Sequence, residues 1–162
     1  MTNYAALDET RLRDVAQALL DVLVDAAEGA GWVDPTNQLT LVRPGAGCDS
    51  ISVWVDSIVP QVVGGGPCSV VPQVVLRYAI AVCMGADEIE SAGWWAERAD
   101  FLDRVWGTIG GLHVASADGT LCAALGVACD EVALTRSDRF DSADLFVWEG
   151  AVVLTLGVST LG

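Results

Sequence analysis

Apolar residues recur at steps of three and four over residues 10–28, which predicts an amphipathic helix. Leu12 and Leu19 belong to its apolar stripe, and acidic residues such as Asp21 fall on the other side. At 1.5 Å per residue the helix is about 28 Å long, enough to cross one face of a sheet. Gly29 is expected to end it.

A second helix is predicted over residues 88–107, where Asp87 and Glu90 resemble a capping box. Neighbouring helix residues diverge by about 100°. Trp94 and Trp95 therefore cannot both lie centrally in one apolar stripe, and one of them is a candidate for a contact with a partner. Three glycines are expected to end this helix: Gly107, Gly110 and Gly111.

Alternation with a period of two predicts strands. Residues 51–59 alternate between an apolar side and a mixed side, and residues 39–44 are a candidate short strand before them. The glycine run at residues 64–67 predicts a break. Over residues 72–84 every even position is apolar or aromatic, which predicts a strand of roughly 40 Å with one face on the core. Arg77 lies on the other face, which is expected to meet solvent or a neighbouring subunit, and it can pair there with an acid.

Residues 126–135 and 145–159 are predicted to form two paired strands, with a bulge or kink at Gly150. The polar link at residues 136–144 is expected to be mobile. The order helix, strands, helix, strands predicts an α+β fold: a mostly antiparallel β-sheet with two main helices packed on one face. No repeat or linker interrupts residues 1–162, which are expected to form a single domain.

Composition narrows the class of protein. The chain is 52% hydrophobic and 19% charged, with a mean hydropathy of +0.46. This suits a membrane protein, or a subunit that buries much of its surface against partners. No run approaches the roughly 20 apolar residues of a spanning helix. The polar, acidic N-terminal sequence does not resemble a signal peptide. We therefore expect a protein without a membrane partner, made in a cytoplasm and used there or in something assembled there.

The charge balance argues against a nucleic-acid ligand. The net charge is −14, from 22 acids and 8 bases, and every base is arginine. Binding to a duplex needs clustered positive charge, and the arginines are scattered. An acidic surface instead keeps a protein soluble or repels passing DNA.

Candidate chemistry is sparse. The five cysteines are odd in number, no C-x-x-C occurs and there is one histidine, which argues against a disulfide framework and a zinc site. His113, expected in a loop or at a strand start, could pair with Cys48 or Cys122, but no nucleophile signature surrounds either cysteine. The glycine run lacks the Lys-Ser/Thr of a phosphate loop. The spacing of Asp138, Asp141 and Asp144 lacks the glycine and glutamate of a calcium loop.

Several loose patterns together resemble the tail terminator family, small neck proteins of long-tailed phages that infect actinobacteria. The arginine-only composition agrees with a GC-rich host. The patterns are an amphipathic helix at residues 12–27, the strand Ile51-Ser-Val-Trp-Val, the sequence Val-Val-Leu-Arg-Tyr-Ala-Ile-Ala-Val-Cys ending at Cys83, a helix at residues 96–106, Cys122-x6-Cys129 and an aromatic-bearing strand at residues 146–156.

The resemblance implies a structural virion protein with no enzymatic activity and no cofactor. Such subunits form a hexameric ring that caps the tail tube, stops its polymerisation and joins the head-side connector or stopper protein. DNA passes through the lumen without specific binding. The protein would reside at the neck of the virion after assembly in the host cytoplasm. Arg77, Trp94, Trp95, Arg136 and Arg139 are then candidate contacts between subunits or with partners.

Two alternatives stay open. A head-completion or stopper protein of the same neck would have a similar composition, with a different ring size and partner. A small bacterial α+β enzyme or ligand-binding protein would instead be a monomer or dimer with a deep polar pocket. The tandem tryptophans and the glycine-rich insertion at residues 60–67 depart from the tail terminator pattern.

Overall fold

The computed structural model describes residues 9–32, 35–42, 44, 50–63, 69–83, 92–140 and 145–156. Two long helices, one short helix and five strands make up this part of the chain, and the predicted α+β class is confirmed. In chain order the elements are α1 (Glu9–Gly29), β1 (Thr36–Thr40), β2 (Ser50–Val63), β3 (Ser69–Cys83), α2 (Ala92–Ala117), α3 (Thr120–Leu125), β4 (Ala128–Phe140) and β5 (Leu145–Thr155).

The strands form one sheet in the order β1-β2-β3-β5-β4. Strand β1 runs parallel to β2, and the other neighbours are antiparallel. The two predicted C-terminal strands do pair with each other. Strand β1 begins three residues before the predicted segment 39–44 and overlaps only its first two residues, and β2 continues past residue 59 to Val63. The predicted break at residues 64–67 and the capping box at Asp87 lie outside the described residues.

The helices cover one face of the sheet, and the main core lies between this face and the helices. The alternation in β3 predicts this face correctly: Val74, Leu76, Tyr78 and Ile80 are fully buried. The leucines of the α1 stripe join them, and Val152 and Leu154 extend the core across β5. The core therefore forms where the apolar face of the alternating strand β3 packs against the apolar stripe of helix α1.

The glycines near residue 110 do not end the second helix, which is a correction to the sequence analysis. Helix α2 continues to Ala117. Gly107 and Gly111 lie four residues apart and hence on one helix face. A Cβ added at Gly107 would lie 3.2 Å from the Ala30 Cβ, and one at Gly111 would lie 3.4 Å from the Ala26 Cβ. The glycines thus permit close approach of α1 and α2, a packing role that helix propensity does not reveal.

The chain leaves α2 through Gly119, whose φ of 83° lies in the left-handed region that favours glycine. Helix α3 follows and ends at Gly126, with φ of 70°. At this corner the backbone N–H of Thr120 donates a hydrogen bond to Asp118 Oδ1 over 2.9 Å, and its hydroxyl donates to the same oxygen over 2.7 Å. The two hydrogen bonds, the one from the hydroxyl foremost, lower the pKa of Asp118.

The prediction of a mobile link at residues 136–144 is wrong for residues 136–140. Strand β4 continues to Phe140, and its residues from Arg136 onward pair with residues 145–149 of β5. A register shift lies between Leu134 and Arg136, opposite Gly150 and Glu149. The irregularity predicted at Gly150 therefore falls on the partner strand. Residues 141–144 lie outside the described residues.

Residues 57–63 of β2 and 69–75 of β3 form a two-stranded arm, whose distal part extends beyond the rest of the sheet. Among the described residues, β1 pairs with β2 only as far as Trp54, so the outer edge of the arm carries no strand. On the other side, β5 joins β3 only from Gln73 onward. The distal half of the arm is therefore a pair of strands with no third strand on either side among the described residues.

Candidate functional site

Arg77 lies on the sheet face opposite the helices, beside the base of the arm. Its Nε lies 3.1 Å from Asp56 Oδ1, which confirms that Arg77 pairs with an acid. The register across β2 and β3 shifts between Val55 and Ser57, so Asp56 is an extra residue at a bulge. Both side chains are about one-third exposed, and exposed pairs of this kind contribute about 0–1 kcal/mol. The pair orients the base of the arm more than it stabilises the fold.

The centre of this second face is buried, which corrects the expectation that it meets solvent or a neighbouring subunit. Trp54, Ala79, Ala81 and Val147 form a second apolar cluster there. Glu149 lies in the same region and is only 4% exposed. Small alanines leave room for the indole of Trp54, whose exposed fraction is 3%. The chain itself thus covers the centre of this face, and the solvent-exposed residues of the face lie nearer the arm.

The other predicted contact residues fall on two separate elements. Arg136 and Arg139 are strand residues of β4, in register with Glu149 and Phe146 of β5. Trp94 and Trp95 lie in the first turn of α2. The side chains of these four residues lie outside the description, so their contacts with partners stay predictions.

His113 and Cys122 lie on different helices, α2 and α3, and no hydrogen bond joins them among the described residues. His113 is a half-buried residue inside α2, not in a loop or at a strand start as was expected. The Cys129 N–H donates a hydrogen bond to Cys122 Sγ over 3.2 Å. Burial, with a smaller contribution from neighbouring Cys122, raises the pKa of the Cys129 thiol to about 11. It therefore stays protonated at neutral pH, when a nucleophile needs the thiolate. Cys48 lies outside the described residues.

No metal-binding cluster occurs within the part of the chain that the structure describes: no three His, Cys, Asp or Glu side chains there converge on one point. Of the three spaced aspartates, Asp138 lies in β4, in register with Val147. Its two predicted companions, Asp141 and Asp144, lie outside the described residues.

A cleft of about 440 Å³ lies between the N-terminal half of α1 and the strand edge formed by β1. Leu12 and Ala16 of α1 face Leu39 and Val55 across it, and Arg13 provides a charged side chain at its wall. Its volume is in the range of small-molecule sites, and its lining is mostly apolar.

Exposed large hydrophobic side chains of the described residues concentrate at the arm and at the sheet edge beside its base. Ile58, Val59 and Val62 lie on the arm, and Leu41 and Val42 follow β1. Val62 is 63% exposed, and Leu41 is 72% exposed. The sequence analysis missed this surface, although the uncharged stretch from residue 57 to residue 76 signals it.

A second exposed apolar surface lies on α2, where Trp106 and Val114 are each 63% exposed. The sequence analysis directed attention to Trp94 and Trp95 of this helix and did not single out Trp106. The error follows from the helix boundary. A helix that ends at Gly107 has little surface beyond Trp106, whereas α2 continues for ten more residues.

None of the helices in the described residues combines the length and apolar character that a membrane crossing requires. Comparison with protein-family models gives no match, and comparison with curated proteins gives none either.

Proposed function

We propose that the protein is a structural virion component that caps the tail tube of a long-tailed phage as a ring. In this role it ends tail polymerisation and joins the tail to the head-side connector or stopper protein. The observation that carries the proposal is the aliphatic surface on and beside the arm. It supports association because exposed apolar side chains that cluster in one region mark protein interfaces.

The energetics favour a partner for this surface. Fully burying one exposed Val, Leu or Ile side chain contributes about 1.5–3 kcal/mol. Two such side chains, Ile58 and Val62, lie four residues apart on one face of β2. An interface that buries them can offset the loss of translational and rotational freedom on association. The edge side chains Leu41 and Val42 provide further apolar area next to it.

The charge distribution is consistent with a conduit for DNA. The chain carries a net charge of −14, while residues 57–76 carry none. Subunits that meet through such a segment avoid bringing like charges together. A six-membered ring would carry six times −14, about −84, and a negative lumen wall keeps a polyanion from adhering.

A tube-assembly assay tests the proposed function. Tail tube protein encoded in the same genome is allowed to polymerise with and without the purified chain, and tube lengths are measured by negative-stain electron microscopy. We expect shorter tubes with a ring-shaped density at one end. Unchanged tube lengths, with no density at either end, would contradict tail termination. If the chain instead binds the portal-side adaptor, the head-completion or stopper role replaces it.

The cleft supports a second candidate function, the binding of a small apolar anion. Apolar walls with Arg13 at the margin suit a ligand that has an aliphatic body and one negative charge. Titration with the anionic apolar dye ANS tests this alternative. Saturable binding by a monomer, lost in Arg13→Ala and retained in Arg11→Ala, would favour a ligand-binding protein over a ring subunit.

A further inference from the structure

The helix-bearing face of the sheet continues onto the arm as an apolar strip. Ile58, Pro60 and Val62 are in register with Val74, Pro72 and Val70 of β3, and Val74 belongs to the main core. The strip, defined as Ile58, Pro60 and Val62, therefore lies on the core side of the sheet but beyond its helices. All three residues are exposed. From Ile58 to Val62 the strip measures about 13 Å at 3.3 Å per residue.

The outer edge of the arm does not favour strand addition. The Pro72 carbonyl accepts a hydrogen bond from the Leu156 N–H, so the backbone of Pro72 points away from β2. Residues in direct register share this orientation in an antiparallel pair, and Pro60 therefore presents its backbone to the outer edge. Proline has no N–H to donate there. The arm consequently offers a partner its side chains and not a continuous row of backbone groups.

The exposed surface on α2 matches the strip in chemistry and in length. The α2 patch, defined as Trp106 and Val114, spans eight residues, or about 12 Å at 1.5 Å per residue. Residues 105–117 contain no formally charged side chain when His113 is neutral. An aromatic and a branched aliphatic side chain on a helix present a side-chain surface, which is what the strip requires.

The strip and the α2 patch lie toward opposite ends of α1. Near its start, Leu12 lines the cleft together with Val55, at the base of the arm. Near its end, Ala26 lies against Gly111 of α2. The two points are 14 residues apart, about 21 Å along the helix axis. One molecule therefore has two separated apolar surfaces, the arrangement of a head-to-tail contact between identical copies.

We propose that the strip of one copy packs against the α2 patch of the next copy, and that repetition of this contact closes the ring. The inference rests on the proposed function, because it assigns the subunit interface of that ring. Both surfaces are uncharged, so two copies that each carry −14 meet where neither contributes a charge. A head-to-tail contact of this kind uses each surface once per subunit and leaves none unpaired after closure.

Mixing two defective variants tests the contact directly. Val62→Asp alters the strip, and Trp106→Asp alters the α2 patch. We expect native mass spectrometry to show the 16.9 kDa monomer for each variant alone. Each variant retains one intact surface of opposite kind, so the mixture should give a heterodimer of twice that mass. Val59→Asp is the matched control: Val59 lies on the same arm but on its other face, in register with Gln73, and this variant should still form rings.

Three results would overturn the proposed contact. Rings of unchanged mass from Val62→Asp would show that the strip is not used. Monomers from both variants, with no heterodimer on mixing, would show that the two surfaces do not meet. Loss of rings in Val59→Asp as well would place the contact elsewhere on the arm. In each case wild-type rings would leave the proposed function standing. Val114→Asp repeats the test should Trp106→Asp lose its helical circular dichroism.

Discussion

At the scale of single residues, Gly150 makes room for the ring of Tyr78 in the core. They face each other across β3 and β5. A Cβ at position 150 would overlap the Tyr78 ring and lie 2.5 Å from the Ala133 carbonyl oxygen. The Tyr78 hydroxyl is buried, and it has no hydrogen-bond partner in the described part of the chain. The glycine therefore makes room for a phenol that the core holds at an energetic cost.

Gly150→Ala should lower the free energy of unfolding by about 2 kcal/mol or more, because the ring and the β4 backbone must both move. Gly29→Ala is the control, since a Cβ there meets nothing within 4 Å. Urea denaturation of both variants measures the difference. Equal stability of the two variants would mean that the tyrosine does not lie over the glycine.

Burial raises the pKa of Tyr78 to about 12. Because the folded state holds this proton more tightly than the unfolded chain, the stabilisation is complete below about pH 10 and is lost as pH rises to about 12. The loss amounts to about 3 kcal/mol for two pKa units. Cys129 shifts in the same direction, so the difference between wild type and Tyr78→Phe isolates the tyrosine.

At pH 7 the free energy of unfolding of Tyr78→Phe should exceed that of wild type by about 1 kcal/mol, since the substitution removes a buried hydroxyl without a partner. It should also be less sensitive to alkali. Thermal unfolding followed by circular dichroism at pH 7 checks the first point, and the same measurement between pH 9 and pH 11.5 checks the second. A variant that is clearly less stable at pH 7 would indicate that the hydroxyl is hydrogen-bonded.

At the scale of elements, the strands and the end of α1 at Gly29 were largely predictable, whereas the end of α2 was not. The alternation through Val74, Leu76 and Tyr78 identifies the core face because a strand exposes its period directly. Gly107 and Gly111 resemble terminators in sequence, yet they pack against alanines of α1. Whether a glycine ends a helix or lies at a helix contact depends on the neighbouring element, which a local pattern does not contain. The six-residue α3 is too short to give a periodic signal.

In the candidate site, too, some features follow from the local sequence pattern and others depend on neighbouring elements. That Arg77 pairs with an acid follows from its place on the second face of a strand. The identity of the acid, Asp56, depends on the bulge after Val55, and the alternating sequence pattern gives no sign of this bulge. Trp54 lies on the mixed side of the alternating segment 51–59, and its burial depends on long-range packing with Ala79 and Val147.

The two kinds of helical glycine should respond differently to alanine. Gly110→Ala should raise the free energy of unfolding by about 0.5–1 kcal/mol, because a Cβ there meets no atom within 4 Å and alanine favours the helix. Gly107→Ala should gain less or lose stability, since its Cβ presses on Ala30. Chemical denaturation ranks the two variants. An equal gain in both would mean that α1 and α2 are not closely packed at this point.

At the scale of the whole molecule, the large exposed hydrophobic side chains of the described residues lie on the arm, beside its base and on α2, and the chain carries a net charge of −14. A head-to-tail ring removes both apolar surfaces from water and keeps the charge exposed. Salt should therefore affect the ring only weakly. The contact contains no ion pair that salt could weaken, and screening only reduces the repulsion among the acidic surfaces.

The mass of the purified protein in solution tests the central claim most directly. Light scattering coupled to size-exclusion chromatography should find a closed oligomer near six times 16.9 kDa, and this species should fall to the monomer mass in Val62→Asp. A well-behaved monomer at millimolar concentration for the wild-type chain would contradict the account.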